Sequence, residues 1–272
     1  MNSDAVTAYV DSVDQAIGTM YRKVLESLVR GRAMCHPGFY SILKAEALEW
    51  GEPLGHIALV NYAYELSHLQ RFNPLGCTSR CTWVEGSWIH ERLLDWDLPE
   101  VKGLDISVKE GLVNKITWPG YVGVLQGASP FFSMSMNYAS PDGMSLWGEP
   151  TTLISRRVMG ASSYTRAVDV LLNCSPVCRS FYTLCGLEKD EACTVEVSPT
   201  KKAVVRPSKD GRLVQTNHSL VRGELDDEDI LEDSRRRYQC AMRAKSLKRS
   251  GAMAEDTLFG CVMWRGEIHE AV

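Results

Sequence analysis

The opening stretch of the chain places apolar residues at helical spacing. Val6, Val10, Val13, Ile17, Met20, Val24 and Leu28 recur at three- and four-residue steps, which predicts one amphipathic helix over 4–30. His36-Pro37-Gly38 interrupts that pattern, and a second helix is expected from about Tyr40 to Trp50, ended by Gly51-Glu52-Pro53. Residues 55–69 read as a third helix, with Asn61 and Glu65 one turn apart as a satisfied buried pair. After Gly76 the period changes to two. Residues 77–97 predict a hairpin turning at Glu85-Gly86-Ser87, and 106–108 with 112–118 predict two further strands. Residues 120–127 and 131–138 read as another alternating pair. In the latter, Phe132, Met134 and Met136 share one face, while Ser133, Ser135 and Asn137 share the other. A helix is expected over 151–172, short strands at 181–184, 193–197, 203–205 and 213–216, and a last helix from an Asp233-Ser234 cap to about Lys248. Helices, a sheet, helices and a second sheet in that order predict a layered α+β protein.

Composition narrows the function classes. The 272 residues suffice for a substantial core, and a 44% hydrophobic with 24% charged make-up is that of a soluble globular protein. A formal charge of −4, with no basic stripe interleaved with aromatics, argues against a nucleic-acid partner. No apolar run approaches a membrane span, and the first residues lack a secretory signal pattern. Nine cysteines, an odd number, fit reduced thiols in a cytoplasmic compartment better than a disulfide framework. No cofactor is implied. Cys174, Cys178, Cys185 and Cys193 lack the spacing of a zinc knuckle, and the acidic run 224–233 lacks that of a calcium loop, so no metal is expected and that run reads as solvated.

Candidate chemistry concentrates in the hairpin. A two-stranded excursion that starts at Cys77 brings Arg92 and Asp95 back beside it, and a thiol near a guanidinium is favoured as thiolate. Several segments of this chain, in register from about residue 36 to 250, carry a wider likeness: LVNYAYELSHL then CTS, IHERLLDWDL, GYVGVLQGASPFFSMSMN, RLVQTNHSL and DSRRRYQ. Together they resemble the acid ceramidase and N-acylethanolamine acid amidase branch of the N-terminal-nucleophile hydrolases, relatives of penicillin acyltransferase and bile-salt hydrolase. The resemblance implies a four-layer αββα sandwich with a helical N-terminal segment, made as a precursor that cuts its own Gly76–Cys77 bond. Residues 1–76 would become an α-subunit and 77–272 the catalytic β-subunit of a heterodimer.

Such a cut makes chemical sense of the nucleophile. A free α-amino group titrates at about 7.7 to 8.0 and can act as base for the thiol on the same residue, whereas the uncut amide has no basicity. The resemblance then implies Cys77 as nucleophile, Asp95 holding its new ammonium group, and Arg92 favouring the thiolate. Asn137 lies near the scissile carbonyl in this reading, Asn217 donates to the oxyanion, and Arg237 is the distal arginine, with Arg236 the neighbouring candidate. Departures are local. Where the family has H-G-R-N-x-D, this chain reads His90-Glu91-Arg92-Leu93-Leu94-Asp95, and Glu91 sets a negative charge beside Arg92. Cys81, His90 and His218 read as structural residues. Trp83, Trp88, Trp118, Phe131 and Phe132 are candidates either for an acyl pocket or for core packing.

The implied activity is a cysteine amidase that hydrolyses N-acyl amines or N-acyl lipids through a thioester. An acyltransferase using the same thioester and an uncut, non-catalytic binding protein are the alternatives.

Overall fold

A computed structural model describes residues 4–70, 75–96, 106–140, 143–221, 228–244, 257–264 and 267–270. Five helices come first: α1 (Asp4–Ile17), α2 (Thr19–Met34), α3 (Pro37–Trp50), α4 (Leu54–Asn61) and α5 (Ala63–Gln70). The expected single helix over 4–30 is thus two. The break falls at Gly18, whose φ of 83° lies where an L side chain is strained, so a continuous apolar stripe does not give a continuous helix. The expected 55–69 helix likewise divides at Tyr62, while α3 starts earlier than expected because Pro37 suits the first helical position.

The hairpin forms as expected. β1 (Leu75–Val84) and β2 (Ser87–Trp96) join through Glu85 and Gly86, both at positive φ, as a two-residue primed turn requires. Then come β3 (Ile106–Glu110), β4 (Val113–Thr117), β5 (Gln126–Ala128) and β6 (Ser133–Tyr138). Of the expected 120–127 strand only 126 and 127 are in the ladder, as part of β5. Residues 120–124 instead cross beneath α4, where Asn61 Nδ2 donates to Gly120 O and Asn61 Oδ1 accepts from Val122 N. Asn61 and Glu65 therefore bond to backbone and not to each other: Glu65 Oε1 accepts from Thr151 N, while its Oε2 is buried without a hydrogen-bond partner among the described residues.

Helices α6 (Thr151–Met159) and α7 (Tyr164–Asn173) replace the single 151–172 helix, with Ser163 capping the second. β7 (Ser180–Cys185), β8 (Ala192–Val197), β9 (Lys202–Val205) and β10 (Arg212–Gln215) follow. The last helix, α8 (Glu228–Arg243), begins five residues before the expected cap, so Asp233 and Ser234 sit inside it and are free for other work. Of the acidic run, 224–227 lies outside the described residues and the rest is helical. β11 (Thr257–Trp264) and β12 (Glu267–Glu270) were not expected.

The sheets are not consecutive in sequence, contrary to the order read from the chain. One is β10-β1-β2-β11-β12 and the other β3-β4-β5-β6-β7-β8-β9, both antiparallel. Residues 212–215 pair with the first hairpin and 257–264 with its return strand, so late sequence completes an early sheet. The main core joins Val6, Leu43 and Ile57 of the N-terminal helices with Ile154 and Leu171 of α6 and α7, against Met134, Met136 and Val195 of the larger sheet. On the far side Ala241 of α8 packs on Leu93 and Val214 of the smaller sheet. The result is a four-layer αββα arrangement. Among the described residues no helix is long and apolar enough to cross a membrane.

One feature departs from the expectation of reduced thiols. Cys81 of β1 and Cys185 of β7 form a disulfide that links the two sheets, whereas Cys35, Cys77, Cys174, Cys178, Cys193 and Cys240 are free. No local spacing reveals it, because its partners are 104 residues apart. Closing so long a loop stabilises by about 2–5 kcal/mol. The double variant Cys81→Ala/Cys185→Ala is expected to unfold at lower denaturant by that amount. A midpoint unchanged from wild type under non-reducing conditions would contradict the cross-link.

Candidate active site

The inner face of β6 explains the location of the site. Strand alternation sends Met134 and Met136 into the helix-backed core and Ser133, Ser135 and Asn137 toward the other sheet. All six residues of β6 are buried, so the polar face is a seam between sheets and not a solvated surface. On the facing strand Cys77, Ser79 and Cys81 present the same alternation. Ser79 Oγ donates to Asn137 Oδ1 at 2.6 Å across the gap.

Cys77 is fully buried, and β1 runs continuously through Gly76 into it, so its nitrogen is an amide here. Three groups hold it. Its N–H donates to Asn217 Oδ1 at 2.8 Å. Arg92 Nη2 stands 3.4 Å from Sγ, and the same guanidinium donates to Leu93 O at 2.6 Å and Met136 O at 2.5 Å. Arg237 Nη1 donates to Cys77 O at 2.7 Å and to Thr78 Oγ1 at 3.0 Å, and its Nη2 to Asn217 Oδ1 at 2.7 Å. Asn217 thus accepts from nucleophile and arginine together, while its Nδ2 donates to Tyr138 O at 2.9 Å.

The two neighbouring arginines lie in different surroundings. Arg237 is buried beside Cys77, whereas Arg236 is exposed and donates to Asp233 Oδ1 at 2.9 Å. Asp233 Oδ2 also accepts from Arg237 Nε at 2.7 Å, which fixes the guanidinium from behind. Burial alone would raise the Asp233 carboxyl, but the Arg237 and Arg236 hydrogen bonds and charges outweigh it and hold the group below its ordinary value.

Asn137 follows Met136, whose carbonyl accepts from the same Arg92 Nη2 that reaches Cys77 Sγ. The Asn137 Nδ2 donates to Gln215 O at 2.9 Å and Thr216 O at 3.1 Å, and its Oδ1 accepts from Ser79. It ties β6 to the end of β10, immediately before Asn217. Asp95 lies opposite Gly76 in the β1–β2 ladder, beside the bond expected to be cut; its side chain lies outside the described residues.

The two departures from the motif lie away from the chemistry. Glu91 pairs with Arg80, its ladder partner, at 2.5 Å, and Arg80 Nη1 donates to Ala244 O at 2.7 Å at the end of α8. Leu93 packs under α8. Both side chains project from the outer face of the sheet, so the extra charge is absorbed by Arg80 and does not compete for Arg92. His218 engages Thr216 and Ser234 through Nδ1 and is not a partner of the thiol. Four of the candidate pocket aromatics divide between two cores: Trp83 and Trp88 stack edge to face at the hairpin tip, and Trp118 and Phe132 belong to the main core, whereas Phe131 is exposed.

Reading the sequence missed Thr78, which receives Arg237, and Ser234, whose Oγ accepts from Asn217 N at 2.8 Å. The letters CTS and DSRRR contain both, but only the packing of α8 on β1 and β10 brings them together. Cys81, His90 and Cys185 also cluster in the seam. With the two sulfurs bonded to each other, that group is a cross-link and not a cation site.

Two buried imidazoles make folding pH-dependent. Burial, reinforced by the Arg179 charge, pushes His68 down to about 4, and burial with Arg92 pushes His90 to about 3. Below the ordinary value of 6.5 the unfolded chain binds these protons and the folded chain does not, so acidification destabilises, by about 2 kcal/mol per imidazole between pH 6.5 and 5. Burial raises Glu65, which stabilises below the unfolded value of 4.5 and loses that contribution as pH rises through its folded value. His36, which burial and the Arg32 charge also lower, acts in the same sense as the two buried imidazoles. The urea midpoint should fall on going from about pH 7 to about pH 5; a higher midpoint at the acid end would contradict the assignment.

Comparison with known proteins bears on this geometry. Residues 132–257 match the family model described as acyl-coenzyme A:6-aminopenicillanic acid acyl-transferase. Two facing antiparallel sheets between helical layers, with a thiol near the start of an inner strand, give the chain a fold of the N-terminal-nucleophile hydrolase type. The solved structure of a Caenorhabditis elegans N-acylethanolamine-hydrolyzing acid amidase (NAAA) ortholog is similar, with a TM-score of 0.54 at 23% identity over 70% of this chain and 94% of that one. A sequence search of curated proteins found no match.

Proposed function

We propose that the chain is a cysteine amidase activated by cutting itself before Cys77, which then hydrolyses the linear amide of an N-acyl amine or N-acyl lipid. The observation that carries this reading is the three-sided hold on Cys77: Asn217 on its N–H, Arg92 at its sulfur, Arg237 on its carbonyl. In the uncut chain Sγ attacks the Gly76 carbonyl carbon, the C–N bond breaks, and the thiol proton ends on the Cys77 nitrogen. Water then hydrolyses the thioester to leave a Gly76 carboxylate, a free thiol and a free amine. That amine supplies the missing base. In turnover it takes the thiol proton as Sγ attacks the substrate acyl carbon and passes it to the departing amine; water attacks the acyl-enzyme in the second half.

In the mature protein Asn217 Oδ1, which now accepts from an amide, would accept from the new ammonium, with Asp95 as its counter-charge. Segments 1–76 and 77–272 would remain together as a heterodimer. Asn61 and Glu65 of the first segment bond to Gly120, Val122 and Thr151 of the second, and Arg32 donates to Gly148 O at 2.6 Å. We place this activity in a cytoplasmic compartment, with Cys81–Cys185 the exception to its reduced thiols. Acyl transfer is the second reading, favoured by the acyl-transferase family model over 132–257. Incubation with an N-acylethanolamine and a competing primary amine separates the two. Free fatty acid as the sole acyl product supports hydrolysis, and an amide of the added amine would overturn it.

A further inference from the structure

We infer that His90 is a positioning residue for the active site, acting through a hydrogen-bond relay of two serines that sets the Asn137 amide and, behind it, the turn bearing Asn217. The inference rests on the proposed amidase reading and adds a residue that this reading does not use.

The relay is buried along its length. His90 Nε2 lies 2.8 Å from Ser135 Oγ, Ser135 Oγ donates to Ser79 Oγ at 2.7 Å, and Ser79 Oγ donates to Asn137 Oδ1 at 2.6 Å. Proton counting gives it a direction. Asn137 uses its NH2 on the carbonyls of Gln215 and Thr216, so the end facing Ser79 is the oxygen and can only accept. Ser79 therefore spends its one hydrogen on Asn137 and must accept from Ser135. Ser135 has then spent its hydrogen on Ser79, so its oxygen must accept from His90. His90 accordingly carries a proton on Nε2. Burial beside Arg92 disfavours a second proton, which leaves Nδ1 as the acceptor 3.0 Å from Ser133 Oγ, a hydroxyl that also lies 3.5 Å from Cys185 O. Among the described residues Arg92, two residues along β2, is the cation acting on the ring, and the Ser133 and Ser135 hydroxyls and the Cys81 and Cys185 sulfurs lie close to it.

Each link crosses between elements. His90 is on β2, Ser135 and Asn137 on β6, Ser79 on β1, and the Gln215 and Thr216 carbonyls end β10. Reversing the Asn137 amide would set its NH2 against Ser79 and its oxygen against two carbonyl oxygens. The two carbonyls thus fix which way Asn137 faces, and the Nε2 proton of His90 completes the run of donors that holds Ser79 against the Asn137 oxygen. The Gln215–Thr216 backbone it grips leads directly into Asn217, which holds the nucleophile. A motif histidine that reads as packing in sequence becomes the start of a four-residue positioning chain.

The test compares His90→Gln, whose amide can still donate to Ser135, with His90→Phe, which fills the space and donates nothing. For the enzyme, kcat is expected to fall about 10- to 100-fold in His90→Phe with KM nearly unchanged, and to recover most of that loss in His90→Gln. Ser79→Ala should cost a similar factor, and the Ser79→Ala/His90→Phe double variant no more than either alone. Additive losses, or a loss confined to KM, would overturn the relay. Imidazole 15N NMR of the wild-type chain gives a reading independent of activity: a neutral Nε2–H ring that does not titrate between about pH 4.5 and 8 supports the relay. An Nδ1–H tautomer or an imidazolium would sink it even in an active amidase. A chain with the expected NMR signature but no thiol chemistry would instead fail the amidase reading and leave His90 as a structural tie, which also ends the positioning claim.

Discussion

Arg237→Met is expected to lower both self-cleavage and amide turnover by at least about 100-fold, the scale seen when a single donor to reacting groups is removed. The reason is convergence: one guanidinium donates to Cys77 O, Thr78 Oγ1 and Asn217 Oδ1 while Asp233 braces it. The variant leaves two buried acceptors short of a donor, a stability cost of about 1–3 kcal/mol. Asp233 adds little to that cost because half of its side chain is in solvent. Arg236→Ala provides the control. Its side chain is exposed and pairs only with Asp233 in the described contacts, so it should shift stability by no more than about 0.5 kcal/mol and leave turnover intact. Assay of both variants beside their urea midpoints checks the pair, and equal losses in the two would contradict the assignment.

Arg92→Lys is expected to be nearly as damaging despite keeping the charge. Arg92 is fully buried and its planar fork serves Leu93 O, Met136 O and Cys77 Sγ at once, in directions that an ammonium on a flexible stem cannot reproduce. Loss of one charge-assisted bond at the sulfur corresponds to about 10- to 100-fold, so iodoacetamide labelling of Cys77 should slow by that factor in a chain that still folds. Labelling at the wild-type rate would show that Arg92 only braces the strands. Arg92→Leu is the poorer experiment, since it strands two buried carbonyls.

Much of the site was legible in the sequence because strand alternation and hairpin length are local. From Cys77, a turn at Glu85-Gly86 and a return strand, the apposition of Cys77 with Arg92 follows from the ladder alone, and the Ser133, Ser135, Asn137 face follows from the period of two. What that polar face meets was not legible. Its partner, Ser79, lies on a strand that does not neighbour it in either sheet, and sheet-to-sheet facing leaves no periodic signal. The same holds for Cys81–Cys185, for Ser234 beneath Asn217, and for β11, which completes the first hairpin's sheet from the other end of the chain. Helix ends failed for a different reason. Apolar periodicity runs through Gly18 and through Tyr62 without a change of phase, so only backbone geometry separates the helices there. Glu91 shows the converse error: adjacency in sequence set it against Arg92, whereas alternation sends the two side chains to opposite faces and gives Glu91 to Arg80.

The central claim is that the Gly76–Cys77 bond is the functional bond of this protein, and intact mass spectrometry of the purified full-length chain tests it most directly. The wild-type protein, 30.4 kDa uncut, is expected to resolve under denaturing conditions into two fragments with a boundary immediately before Cys77, and Cys77→Ala is expected to stay a single chain. A wild-type chain that remains whole and whose Cys77 does not react with iodoacetamide would contradict the account and leave the uncut binding protein in its place.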